Sequence, residues 1–341
     1  MKKIATSLLL LTSITGCVST QTPVQSTSPK NIIMVVADGM GPAYTTAYRL
    51  YKDDPSTPNV EATIFDKYKV GAASTYPAQV SGYVTDSSAA ATALSTGVKT
   101  YNTAVGIDAN KKRIETVMEY AKSIGKKTGV IVTSQVNHAT PASYLAHNEY
   151  RRNYDQIADT YFDDKINGKI KTDLILGGGT KYFQREDRNL IEEFRNEGFQ
   201  FIDSLQQLDT LSNKKPALGL FAPVALDYAL DHSDPHRLTT MVKTGLNLLK
   251  NDEGFFVLLE ASLVDWAGHD NDIAAAMAEM DDLAQTMAYL EKFVKENPDT
   301  LVVLTADHST GGLTLGANND YKWIPSYLHD VNGSARTIAK K

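Results

Sequence analysis

Three apolar runs in this chain end in side chains able to bind a cation. Val35-Val36-Ala37 leads into Asp38-Gly39, residues 255–259 lead into Glu260, and Val302-Val303-Leu304-Thr305-Ala306 leads into Asp307-His308. A carboxylate closing a wholly apolar strand needs a partner, and a cation is the natural one. Asp265 and His269 are four residues apart, so on a helical turn both face the same way, a common arrangement for zinc ligands. A different chemistry is suggested by Thr85-Asp86-Ser87-Ser88, which precedes the small residues Ala89-Ala90-Ala91. Serine or aspartate at the start of a helix is ordinarily a cap. The same place also meets unpaired backbone N–H groups and the positive end of the helix dipole, where a nucleophile attacking an anionic substrate would be useful.

The elements that must position these residues alternate along the chain. Short apolar runs at 31–38, 70–76, 128–134, 173–178, 255–261 and 301–307 read as strands, and 81–85 as an extended lead into Ser87. Amphipathic stretches at 115–124, 190–197, 238–249 and 272–296 read as helices. The alternation predicts an α/β fold, a three-layer α/β/α sandwich around a mostly parallel sheet. Asp38, His138, Glu260 and Asp307 all follow strand ends, the edge at which open parallel sheets bind ligands. Neither an internal repeat nor a second linker interrupts residues 31–322, which read as one catalytic domain.

A chain of 341 residues is ample for a buried core, and its net charge of −6 excludes a surface built to coat nucleic acid. An anionic substrate would then be held by metal ions or by a placed arginine. Lys2 and Lys3 precede the apolar run 4–11 and Ile14-Thr15-Gly16-Cys17. This describes an export signal, too short to span a bilayer as a mature helix. The last four residues resemble the bacterial lipobox. Residues 1–17 are therefore expected to be a lipoprotein signal peptide, with lipid on Cys17, and 18–30 a flexible Ser/Thr/Gln/Pro tether. Cys17 is the only cysteine, so it has no partner within the chain for a disulfide. The expected location is that of an exported bacterial lipoprotein, membrane-anchored and facing the periplasm or the cell exterior.

Over residues 30 to 322 the chain resembles the alkaline phosphatase family. The resemblance is carried by Ala37-Asp38-Gly39-Met40-Gly41, Thr85-Asp86-Ser87, Ser95-Thr96-Gly97-Val98-Lys99-Thr100-Tyr101-Asn102 and His138-Ala139-Thr140-Pro141-Ala142. Glu260 through His269 and Thr305-Ala306-Asp307-His308 complete it. It implies hydrolysis of phosphate monoesters through a covalent phosphoserine at Ser87, assisted by two zinc ions and one magnesium. Asp38, Asp307 and His308 would form one zinc site, with Asp265 and His269 supplying ligands of the other. Asp38, Thr140 and Glu260 would surround magnesium. Arg151, eleven residues past Thr140, would grip two phosphate oxygens, a task for which Arg152 is out of step by one. Asp86, His138 and Trp266 would neighbour the substrate or the third site. His138 stands where some relatives carry aspartate, so a softer third-site metal is open. The family is often dimeric, which makes a homodimer an expectation.

The chain also departs from the family. A further zinc-binding histidine, in a Gly-His or His-Thr segment, has no counterpart after His308, where only His329 remains. Residues 323–341 resemble the start of a family insertion, so the resemblance implies C-terminal truncation and a first zinc with two protein ligands, with His329 a candidate third. Two alternatives follow. One is a related sulfatase or phosphodiesterase, although Ser87 lies outside any Cys/Ser-x-Pro-x-Arg motif. The other is a non-catalytic lipoprotein that binds metal or phosphate. His232 and His236, around Asp231, Ser233, Asp234 and Pro235, read as capping and surface residues. His147 reads as structural support beneath Arg151, and Gly177-Gly178-Gly179 as a tight turn.

Overall fold

The computed structural model describes residues 28–340. Its framework is one seven-stranded sheet of β1 (Asn31–Ala37), β2 (Lys127–Gln135), β3 (Leu174–Gly178), β4 (Gln200–Ile202), β5 (Ala217–Leu220), β6 (Phe255–Glu260) and β7 (Thr300–Ala306). Their spatial order is β4-β5-β3-β2-β6-β1-β7, and every neighbouring pair runs parallel. The central strands are apolar on both faces because helices cover both, the usual condition of a parallel sheet. One face packs against α1 (Pro42–Tyr51), the helix Arg237–Leu249 and the long helix Ile273–Glu296. The other packs against Val117–Ser123, Ala139–Leu145, Tyr154–Asp163 and Leu190–Asn196. The three-layer α/β/α sandwich is as expected.

Two expectations about the strands need correction. Residues 70–76 form no strand: Val70 is fully exposed, and this short apolar run has no sheet neighbour to bury it. Residues 81–85 are an irregular loop following a single 3₁₀ turn, Gln79–Ser81. Conversely, β4 and β5 carry no strong pattern of their own. They are three and four residues long, and β5 contains a glycine. Tertiary pairing makes them strands. Of the glycines expected to form a tight turn, Gly177 and Gly178 lie in β3, and only Gly179 turns the chain, in the left-handed region at φ 114°.

Register brings the metal-binding candidates together. Val36 is paired with Glu260 on one side and Thr305 on the other, and Ala37 is opposite Ala306. Asp38 and Asp307 therefore leave adjacent strands side by side, with Glu260 just behind them. β2 lies beyond β6 and delivers His138 and Thr140 through the start of the helix Ala139–Leu145. Cys17 and the leader lie outside the described residues; no helix among those described is long and apolar enough to cross a membrane.

Candidate active site

Ser87 opens the helix Ser87–Thr96, which ends at Gly97 in the left-handed region, φ 74°. Ser87 and the cap of its helix are separate residues. Asp86 is the cap, accepting from the Ala89 N–H at 3.0 Å, and its carboxylate also takes the Ser88 hydroxyl and the Thr103 N–H. Ser87 is thereby left free to turn inward. Its Oγ lies 3.0 Å from His308 Nε2 and 3.4 Å from Asp38 Oδ1. The alanines behind it are buried and let the helix lie close against Ala139–Leu145.

The same Asp86 carboxylate binds Arg151 Nη1 at 3.0 Å, so one residue fixes both the helix start and the guanidinium. Arg151 Nη2 lies 3.4 Å from His138 Nε2, whereas Arg152 is exposed. The backbone of Arg151 is tied down by its N–H on the Thr103 carbonyl. His147 supports this region by binding Glu119 at 3.0 Å rather than by touching Arg151.

Around Ser87 the candidates fall into two overlapping groups, Asp38 with Asp265 and His308, and Asp38 with His138 and Glu260. Asp307 joins them from the side, its Oδ1 accepting from the N–H groups of Gly39 and His308, its Oδ2 3.5 Å from His308 Nε2. Asp265 and Trp266 belong to the helix Leu263–His269, and Asp265 reaches the Asp38 side of the site. His269 is 69 % exposed, with Nε2 3.5 Å from Asp265 Oδ1. The Trp266 ring meets that of His138 edge-on at 5.7 Å. His329 is occupied elsewhere, donating from Nε2 to the Tyr51 carbonyl and packing on the Tyr51 ring. His232 Nδ1 accepts from the Asp234 N–H and Asp234 from the His236 N–H ahead of the helix Arg237–Leu249, but neither caps it. Its N-cap, His236, makes no side-chain cap bond, and Asp282 takes the Leu238 and Thr239 N–H groups instead.

The donor set fits cations. Asp38 Oδ2, Asp307 Oδ2, both oxygens of Glu260, Thr140 Oγ1 and His138 Nδ1 are buried without hydrogen-bond partners. Burial, with the charges of Asp307, Asp265 and Glu260, holds the Asp38 carboxyl well above its ordinary range. Burial and the neighbouring carboxylates push Glu260 up to about 8, and burial raises Asp307 as well. Burial and then the Arg151 charge push His138 down to about 3, which leaves a neutral imidazole. So many crowded carboxylates cannot ionise together unless positive charge is placed among them.

Sequence reasoning passed over three contributors. Asn102 lay in a quoted motif without a role; its Oδ1 accepts from the Asp86 N–H and its Nδ2 binds the Val84 carbonyl. Thr103, at φ 78°, offers its N–H to Asp86, a backbone conformation that no residue pattern announces. Thr310 touches both Asp265 and His308. Only its closeness to Asp307-His308 could have drawn attention to it.

Comparison with known proteins gives concordant results. A family model described as alkaline phosphatase matches residues 29–339. Alkaline phosphatase 3 of Bacillus subtilis (strain 168) is 48% identical over 315 residues, covering 92% of this chain and 68% of that protein. The crystal structure of a cold-active alkaline phosphatase from the psychrophile Shewanella sp. superimposes with a TM-score of 0.86 at 49% identity, over 91% of this chain and 76% of the other. A mutant of TAB5 alkaline phosphatase with Mg bound in its M3 site gives a TM-score of 0.75 at 28% identity, over 84% of this chain and 80% of the other.

Proposed function

The chain belongs to the alkaline phosphatase family and is accordingly a phosphomonoester hydrolase; from that premise we propose that it works by double displacement through a phosphoserine at Ser87. The observation that carries this reading is the Ser87 hydroxyl at the head of a helix, 3.0 Å from His308 Nε2 and beside carboxylates lacking other partners. Asp38, Asp307 and His308 would hold one zinc, Asp265 and His269 another, and Asp38, Thr140 and Glu260 a magnesium; Mg in the M3 site of the TAB5 mutant supports metal dependence in general. Neutral His138, grouped with Asp38 and Glu260, would admit a softer third-site metal. Bound there, the cations would supply positive charge that lowers the pKa of the Ser87 hydroxyl and neutralises the leaving oxygen.

The chain's own residues do the rest. Arg151, anchored through Nη1 to Asp86, presents its remaining N–H groups to the phosphate as a planar fork. Ser87 Oγ forms the new bond to phosphorus as the ester P–O bond breaks, and the helix N-terminus favours the negative charge gathered there. Water then cleaves the Ser87–phosphate bond and frees inorganic phosphate. Trp266 and His138 form the wall next to this reaction. Ser87→Ala should reduce hydrolysis of p-nitrophenyl phosphate to below about a thousandth of the parent rate. A variant retaining more than a tenth, or a parent enzyme that prefers the bis-ester or the sulfate, would overturn the reading. The leader ending in Cys17 supports export and lipid anchoring, to be checked by radiolabelled palmitate incorporation and its loss in Cys17→Ser. Oligomeric state, a dimer by family habit, is measurable by light scattering.

A further inference from the structure

We propose that Thr310 is a positioning residue: its single hydroxyl fixes the tautomer of His308 and the orientation of Asp265, and so ties together two ligands assigned above to different zinc ions. The inference rests on that metal assignment. Thr310 is buried in the loop after β7, and Oγ1 touches Asp265 Oδ1 while lying 3.1 Å from His308 Nδ1. Thr310 Oγ1 donates to Asp265 Oδ1, and a hydroxyl has one proton to give, so none is left for His308. His308 Nδ1 must then carry the hydrogen and donate it to a lone pair of Oγ1.

The other ring nitrogen is consequently bare. His308 Nε2 faces Ser87 Oγ at 3.0 Å, Asp38 Oδ1 at 3.3 Å and Asp307 Oδ2 at 3.5 Å. That bare nitrogen faces the oxygens of Asp38 and Asp307, its partners in the zinc site proposed above, so the hydroxyl keeps it ready for metal. With this tautomer the Ser87 hydroxyl gives its one proton to Nε2 at 3.0 Å in place of Asp38 Oδ1 at 3.4 Å.

Thr310 has little freedom to do otherwise. Its N–H donates to the Gly39 carbonyl at 3.2 Å, and its carbonyl accepts from the Tyr44 hydroxyl at 2.8 Å. A Cβ on Gly39, which sits at φ 73°, would fall 2.8 Å from Thr310 Oγ1, and one on Gly268 would fall 3.2 Å from Thr310 Cβ. Glycine at both places lets β1, the helix Leu263–His269 and the loop after β7 close around this one side chain. Partners of metal-binding histidines typically change metal affinity ten- to a hundredfold when removed.

The test begins with the intact chain, stripped of metal and isotopically labelled at histidine, at a pH where the rings are neutral. Nitrogen NMR should show His308 protonated on Nδ1 and bare on Nε2; the opposite tautomer as the major form would overturn the proposal without any variant. Thr310→Val keeps shape and removes the hydroxyl. Its zinc affinity, read by competition with a chromophoric chelator, should fall about ten- to a hundredfold, with the tautomers becoming mixed. Thr310→Ser should restore both. Parent-like zinc affinity and tautomer in a folded Thr310→Val protein would refute the role. Should Thr310→Val not fold, the parent's tautomer decides. A parent chain that binds no zinc would sink the metal assignment instead, while the metal-free tautomer would still report on Thr310.

Discussion

At the scale of single residues, the site divides its labour by hydrogen-bonding capacity. Asp86 is saturated with donors from Ser88, Ala89, Thr103 and Arg151, so it is a fixture. Asp38, Glu260 and Asp307 retain oxygens with no donor at all, so they are receptors. Arg151 lies between the two classes, held at one nitrogen and available at the others. Lysine would keep its charge but not the planar fork. Arg151→Lys should lower kcat/KM for phosphate monoesters by roughly ten- to a hundredfold, the equivalent of losing about 1.5–3 kcal/mol of charge-assisted hydrogen bonding. Steady-state kinetics on p-nitrophenyl phosphate would check this, and a change under twofold would deny Arg151 its role.

Among the elements, the helix Arg237–Leu249 is pinned to Ile273–Glu296 by a buried ionic cluster remote from the chemistry. Arg237 is inaccessible to solvent, with Nη2 2.6 Å from Glu279 and Nη1 3.1 Å from Asp282. Asp282 also accepts from the N–H groups of Leu238 and Thr239, capping one helix from the other. Burial alone would neutralise these acids, and it does raise both carboxyls despite the arginine. Removing the cation strands two buried carboxyls. Arg237→Met should cost about 3–5 kcal/mol in urea unfolding, with kcat unchanged in the protein that remains folded. Unaltered stability would show the cluster to be energetically idle. The Ser87–Thr96 helix depends on Asp86 in the same local way, but there the cap also serves the site.

For the molecule as a whole, the crowded carboxyls couple metal content to stability and pH. In the metal-free chain Asp38, Glu260 and Asp307 hold protons that the unfolded chain would release, Glu260 up to about 8. Such groups stabilise most below the ordinary carboxylate range, and the benefit disappears as pH rises through the folded values. His138, pushed down from 6.5 to about 3, acts in the opposite sense, and only below pH 6.5. Between pH 6.5 and 8 the carboxyls therefore dominate. Chelator-treated protein should lose Tm steadily across this interval, whereas protein resupplied with zinc and magnesium should not, so the gap widens with pH. Thermal melts in both states would show it; parallel curves would mean that the acids are not the metal-binding set.

The candidate ligands were legible in the sequence because each breaks a local rule: a charge at the end of an apolar strand, an aspartate and a histidine at helical spacing, a hydroxyl before a run of alanines. The alternation of elements likewise specified the parallel sheet and its chemical edge. Local pattern misled at residues 70–76, whose apolar run finds no sheet neighbour, and it missed β4 and β5, which are strands only because β3 and its neighbours supply hydrogen bonds. Which ligand stands next to which was beyond its reach. That Asp265 reaches Asp38 and His308, that Asp86 serves Arg151, and that Thr310 bridges two elements depend on register and side-chain direction across segments more than forty residues apart. Residue type and spacing determine what each group can do chemically; only packing in three dimensions, where a hydroxyl has one proton to give and must choose its acceptor, decides which groups do it together.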